Sequence, residues 1–150
     1  MPAKLLAYAT LTWLIVLAAG WWSAESGRAT WIGSAVYLTA GRICHQRPER
    51  SFHTAGVQWP VCGRCAGLYL AAPVGAFAAL AAARGARVRR SWLLLAAVPT
   101  AVTFGIEYLG LAPVSSIART LAALPLGAAI AYALVAVTRP PPPGPAPAIR

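Results

Sequence analysis

The chain has 150 residues, 59% of them hydrophobic and only 11% charged, with thirteen basic residues against three acidic ones. A soluble domain of this length leaves about 30% of its unfolded surface in water, and so few charges cannot cover that area, which excludes an ordinary water-soluble globule. Nor does the formal net charge of +10 imply nucleic acid, because the basic residues are scattered among apolar runs and form no stripe on a polar face.

Behind Lys4, Leu5 to Trp22 is almost wholly apolar. Ala18-Ala19-Gly20 looks like a signal-cleavage site, but the stretch outruns a signal core and ends in Trp21-Trp22, a pair suited to the headgroup region. A retained first span is therefore expected rather than a cleaved leader. Ala29 to Gly41, enclosed by Arg28 and Arg42, rises ~1.5 Å per residue and is too short for a ~30 Å hydrocarbon core, which predicts an interfacial or partly re-entrant helix. Cys44 to Pro60 is polar, carries Pro48 and Pro60 as breakers and reads as an ordered loop.

Ala66 to Ala83 is the second predicted span. Its small residues Gly67, Ala71, Gly75, Ala79 and Ala83 recur at every fourth position, the stripe that lets two helices approach closely in lipid. The connection that follows holds Arg84, Arg87, Arg89 and Arg90, and the positive-inside rule assigns it to the cytoplasm. Trp92 to Leu111 and Ile117 to Val137 are the third and fourth spans, joined by a short turn at Ala112-Pro113. Ala123, Gly127 and Ala131 repeat the small-residue spacing in the last of them. Pro73, Pro99 and Pro125 place a helix breaker inside each of these three spans, so kinked and closely packed helices are expected. Trp13, Trp31, Trp59 and Trp92 read as interface anchors.

The Pro-rich tail from Arg139 should be extended or disordered. The expectation is an all-α polytopic membrane bundle of about four transmembrane helices plus one short interfacial or re-entrant helix. Residues 1–138 form a single membrane-embedded domain and 139–150 a tail. The chain should lie in the cell membrane, with both termini cytoplasmic and the cysteine-containing loop on the outer side.

All three cysteines and both histidines fall between Cys44 and Cys65. The run Cys44-His45-Gln46, the Pro48-x-Arg50-Ser51-Phe52 element, Pro60-x-Cys62-x-Arg64-Cys65 and Gly67-x-Tyr69 together resemble the bacterial membrane-protein family called domain of unknown function 2085. The resemblance implies a small multi-span protein and no particular activity. Family members often carry an Asp-Gly-x-x-Gln pattern in the third span and an Asn-x-x-Arg pattern at the next turn. Here Thr103 stands where the Asp is expected and Glu107 where the Gln is, while Ser116-Ile-Ala-Arg119 keeps only the arginine.

Chemically, Cys62-x-x-Cys65 sets two thiols one helical turn apart at a loop-to-helix junction, able to share a metal or close a disulfide. Adding Cys44 and a histidine gives a Cys₃His set that suits a tetrahedral zinc ion. The family motif suggests His45 as fourth ligand. Because adjacent residues rarely reach one ion comfortably, His53 is a rival, and either histidine could instead support the ligands. No organic cofactor is indicated.

Glu107 is the one acid deep in a span, and Arg119 opens the next, so an ion pair clasping the last two helices is expected; the competing reading turns Glu107 toward the cysteines as ligand or base. Arg47, Arg50 and Arg64 either bind phosphate or lipid headgroups or reach to the interface. With no glycine-rich phosphate loop, serine triad or paired catalytic carboxylates, no catalytic residue is named. Two functional alternatives stand beside metal binding. One is a thiol-disulfide oxidoreductase using Cys62 and Cys65. The other is a membrane scaffold docking a partner, or a second copy, through Gly67, Ala71 and Gly75.

Overall fold

A computed structural model of the chain describes residues 2–28, 30–82 and 89–139. Helix α1 (Pro2–Ser26) is followed by the short α2 (Thr30–Gly41), a 3₁₀ turn at Pro48–Arg50, a hairpin of β1 (Ser51–Thr54) and β2 (Val57–Cys62), then α3 (Gly63–Ala81), α4 (Arg90–Tyr108) and α5 (Ser116–Val137). Among the described residues, four of the five α-helices are long and apolar enough to cross a bilayer. The exception is α2, whose twelve residues rise only ~18 Å. The protein is thus an all-α, polytopic membrane bundle carrying one small sheet.

α3 and α5 run parallel and form the centre of the bundle. A methyl group added to Gly75 would run into the backbone carbonyl of Ala128, one on Gly127 would meet Leu68, and one on Gly67 would meet Thr120 and the Ala123 side chain. The two small-residue stripes therefore face each other. This corrects the expectation that Gly67, Ala71 and Gly75 offer a docking surface: α5 already covers that face, because only backbone-to-backbone contact fills the space the absent side chains leave. Ala3 and Ala7 of α1 pack with Ala76, Ala79, Ala131 and Val135 at the far end of the bundle. At the near end, Leu17 of α1 and Val36 of α2 join Cys44, Val61 and Ala66.

By contrast, α4 has no fully buried residue and rests on α5 alone among its close neighbours. The Thr100 hydroxyl donates to Ala122 O across that contact at 2.8 Å. α4 stops at Tyr108 rather than at Leu111 because Gly110 takes a φ of +66°, and the amides of Gly110 and Leu111 turn back to the carbonyls of Glu107 and Ile106. Ser115 caps the start of α5, accepting from the Ala118 amide at 3.2 Å. All three helices run through their prolines.

The stretch from Cys44 to Pro60 is more than an ordered loop. Its second half pairs as an antiparallel hairpin with Ser51 opposite Cys62 and His53 opposite Gln58. Ala55 and Gly56 turn it with φ of +52° and +78°, the twist a two-residue hairpin connection needs. Trp13 and Trp59 are also used inside the protein: Trp13 meets Tyr69 edge-on, and Trp59 contacts Trp21 and Phe52. Trp31 and Trp92 stay exposed, as interface anchors would. Ala83, the last residue of the predicted stripe, residues 84–88 of the arginine-rich connection and 140–150 of the tail lie outside the described residues. Arg139 reaches the carbonyls of Ala79 and Ala82 at the C-terminal end of α3.

Candidate metal centre

Three separate elements bring the cysteines together. Cys44 follows α2, whose last turn closes with the Cys44 amide donating to Ala40 O at 2.9 Å, and its side chain is buried. Cys62 ends β2 and is the N-cap residue of α3, and Cys65 lies in the first turn of that helix. The three Sγ atoms all lie within 4.8 Å of one another. Tetrahedral thiolate ligands held ~2.3 Å from a zinc ion sit ~3.8 Å apart, so small side-chain rotations bring this triangle to metal-binding geometry. The three cysteines are positioned to hold a metal ion, and none is in a disulfide.

Of the three, Cys62 is the thiol favoured as a thiolate. The Cys62 amide donates to Cys44 Sγ at 3.2 Å. The Cys44 and Cys65 thiols turn toward the sulfur of Cys62, and together with the first amides of α3 they hold Cys62 far below the ordinary thiol range against the opposing effect of burial.

Gln46 locks Cys44 in place. At a φ of +46° it reverses the chain, and its side-chain amide donates to Tyr37 O at 2.8 Å and to Pro60 O at 2.7 Å. Gln58 returns a bond to Gln46 O at 2.6 Å, and the Tyr37 hydroxyl donates to Gln58 O. Burial raises the Tyr37 pKa and keeps that hydroxyl protonated. α2, the loop and β2 are thereby tied into one frame around Cys44. These roles for Gln46, Gln58 and Tyr37 had no separate signal in the sequence beyond the presence of Gln46 in the Cys-His-Gln run.

Beside the thiols lies a cavity of about 400 Å³ whose polar lining is Arg47, Arg50, Arg64, Arg119 and His45, with Ile43 and Phe104 as its apolar wall. His45 is exposed on its rim, while His53 sits exposed on β1 and does not line it. Among the described residues, the ligand cluster comprises the three cysteines and neither histidine.

Glu107 is gripped from α3 and α5 at once. Its carboxylate accepts from Arg64 and from Arg119, with Arg119 Nε at 3.0 Å, and Arg50 Nε approaches to 4.0 Å. The expected Glu107–Arg119 clasp is present, enlarged by two arginines from the cysteine segment. Arg64, between Cys62 and Cys65, also lies over the Phe104 ring, 5.4 Å from its centroid. One residue thus links the cysteine cluster to α4.

Fold and site together define a small polytopic membrane protein with a tri-cysteine, arginine-lined cavity at one end of its bundle. The chain belongs to the DUF2085 family, described as predicted membrane protein, whose family model matches residues 44–133. That span contains all three cysteines, Glu107 and Arg119. An uncharacterized protein of Methanothermobacter thermautotrophicus is 32% identical over 90 residues, covering 59% of this chain and 81% of that protein. A second uncharacterized protein, from Methanocaldococcus jannaschii, is 32% identical over 83 residues, 53% of each chain. Both relatives are archaeal, so the similarity reaches beyond bacteria. No solved structure matches the chain.

Proposed function

We propose that Cys44, Cys62 and Cys65 bind one zinc ion, and that this centre holds α2, the hairpin and α3 together at the outer face of the membrane. The observation that carries the reading is the three-sulfur cluster itself, drawn from three elements and confined within 4.8 Å. Three soft ligands suit zinc, and the nearby guanidiniums offset the charge that three thiolates bring. His45, on the rim of the same cavity, is the favoured fourth ligand, and His53 the rival. A position left open by both would make the centre resemble catalytic rather than structural zinc sites.

Metal analysis of protein purified in mild detergent under reducing conditions should give one zinc per chain. Each Cys→Ser change should remove most of it, and a chelator should lower the thermal midpoint. Protein that carries no metal and gains no stability from added zinc would sink the proposal. The thiol-disulfide reading would then take its place. It draws support from the lowered pKa of Cys62 at a helix start, to which the Cys44 thiol contributes most, but a redox pair needs only two of the three clustered sulfurs.

A further inference from the structure

The charges around the cavity do not balance. Arg50, Arg64 and Arg119 converge on the single carboxylate of Glu107, and Arg47 adds a fourth guanidinium whose own partner is Glu49, 3.9 Å away on the exposed surface. A zinc ion with three thiolates carries one net negative charge, so under the metal reading of this site, on which the inference rests, the cavity still holds an excess of positive charge. Arg119 is 6% exposed, a costly place for a guanidinium at the end of a membrane span. Within Arg64, the Nε is buried and has no hydrogen-bond partner among the described residues. A buried donor without an acceptor is destabilising unless a ligand supplies one. The two helices that carry Arg64 and Arg119 in their first turns also direct their positive dipole ends toward this side of the bundle.

We infer that the cavity beside the three cysteines is an oxyanion site for a phosphate mono- or diester, bound by Arg47, Arg50 and Arg64. The group provides acceptors in the number and planar spacing that guanidinium donors match, which neither chloride nor a neutral polar ligand does. A volume of about 400 Å³ admits a phosphate together with a small alcohol moiety such as a glycerol unit. Ile43 and Phe104 give the same cavity an apolar wall. The phosphate comes either from a lipid headgroup or from a soluble phosphate compound, and the two sources are separable by experiment.

The test uses zinc-loaded full-length protein in dodecyl maltoside. Inorganic phosphate is titrated calorimetrically at constant ionic strength, and phosphatidylglycerol is compared with uncharged diacylglycerol by native mass spectrometry. Binding of phosphatidylglycerol but not of free phosphate assigns the site to lipid headgroups; free phosphate alone assigns it to soluble ligands; either result supports the inference. Arg50→Gln should weaken binding about tenfold, the effect of losing one charge-assisted hydrogen bond, with zinc content unchanged. Arg47, with its side chain 58% exposed, gives a second variant, Arg47→Gln, that leaves the fold intact should Arg50→Gln not fold. Absence of binding by both probes, or binding that neither substitution weakens, overturns the inference. Protein that lacks metal yet binds phosphate through these arginines would refute the zinc centre and leave the anion site standing.

Discussion

Replacing Glu107 by Gln keeps its shape and removes its charge, which isolates what the carboxylate contributes. The Glu107 side chain is 10% exposed, and its partners Arg119 and Arg64 are 8% and 17% exposed. Loss of one member of such a buried cluster leaves the others charged and unpaired, at a cost of about 3–5 kcal/mol. The damage should concentrate on α4. That helix has no fully buried residue, so the Thr100 bond to Ala122 O and the Glu107 cluster carry much of its attachment. Arg119→Gln should be costly for the same reason, and the double variant should cost less than the sum of the two, because its second change removes a charge already stranded by the first. Glu49→Gln is the control: the Arg47–Glu49 pair is more than half exposed on both sides, and such pairs contribute next to nothing. Unfolding in dodecyl maltoside with increasing dodecyl sulfate, followed by tryptophan fluorescence, ranks the variants. If Glu107→Gln is no more damaging than Glu49→Gln, or if Glu107 and Arg119 changes add strictly, the cluster does not hold α4 and the argument fails.

Two further outcomes are expected. Gly75→Ala should destabilise the protein by about 1–3 kcal/mol, because the new methyl collides with the Ala128 backbone, whereas Gly105→Ala, where nothing lies within 4 Å, should be neutral or slightly stabilising; equal thermal midpoints would argue against close α3–α5 contact. If the hairpin faces outward, as proposed, a cysteine introduced at exposed Glu49 should react with an impermeant thiol reagent in intact cells, and labelling seen only after lysis would reverse the proposed orientation.

The membrane helices were legible in the sequence because length and apolar composition leave little else for such segments to do. The small-residue stripes were legible too, though not that they meet each other, since spacing marks a close-packing face without naming its occupant. The clustering of the cysteines along the chain foretold their clustering in space. The hairpin was missed because its strands are short, Pro60 interrupts one of them, and Ala55-Gly56 lacks the Asn or Asp that marks most two-residue turns. Missing it hid the register of Ser51 opposite Cys62, which carries the Arg47–Arg50 turn to the side of the thiols. Gln46 stood out in the Cys-His-Gln run, but its role was hidden for a related reason: its bonds span three elements, and no local pattern encodes them.

The packing of the bundle and the construction of the site have one cause. Arg64 and Arg119 reach a single carboxylate because each opens one of two parallel helices whose backbones nearly touch. That contact begins at Gly63, where an added methyl would sit 2.7 Å from Ser116 O, and continues through Gly67. The Thr120 hydroxyl lies within 2.9 Å of Gly63 O, fixing the first turn of α3 against the first turn of α5. Cys65 rides on that first turn and Cys62 caps it, so the distance between the thiol cluster and the arginine pair is set by helix packing rather than by the loop. A ligand or metal bound there should therefore be felt along the α3–α5 contact, and bulk introduced at Gly75 should in turn loosen the site.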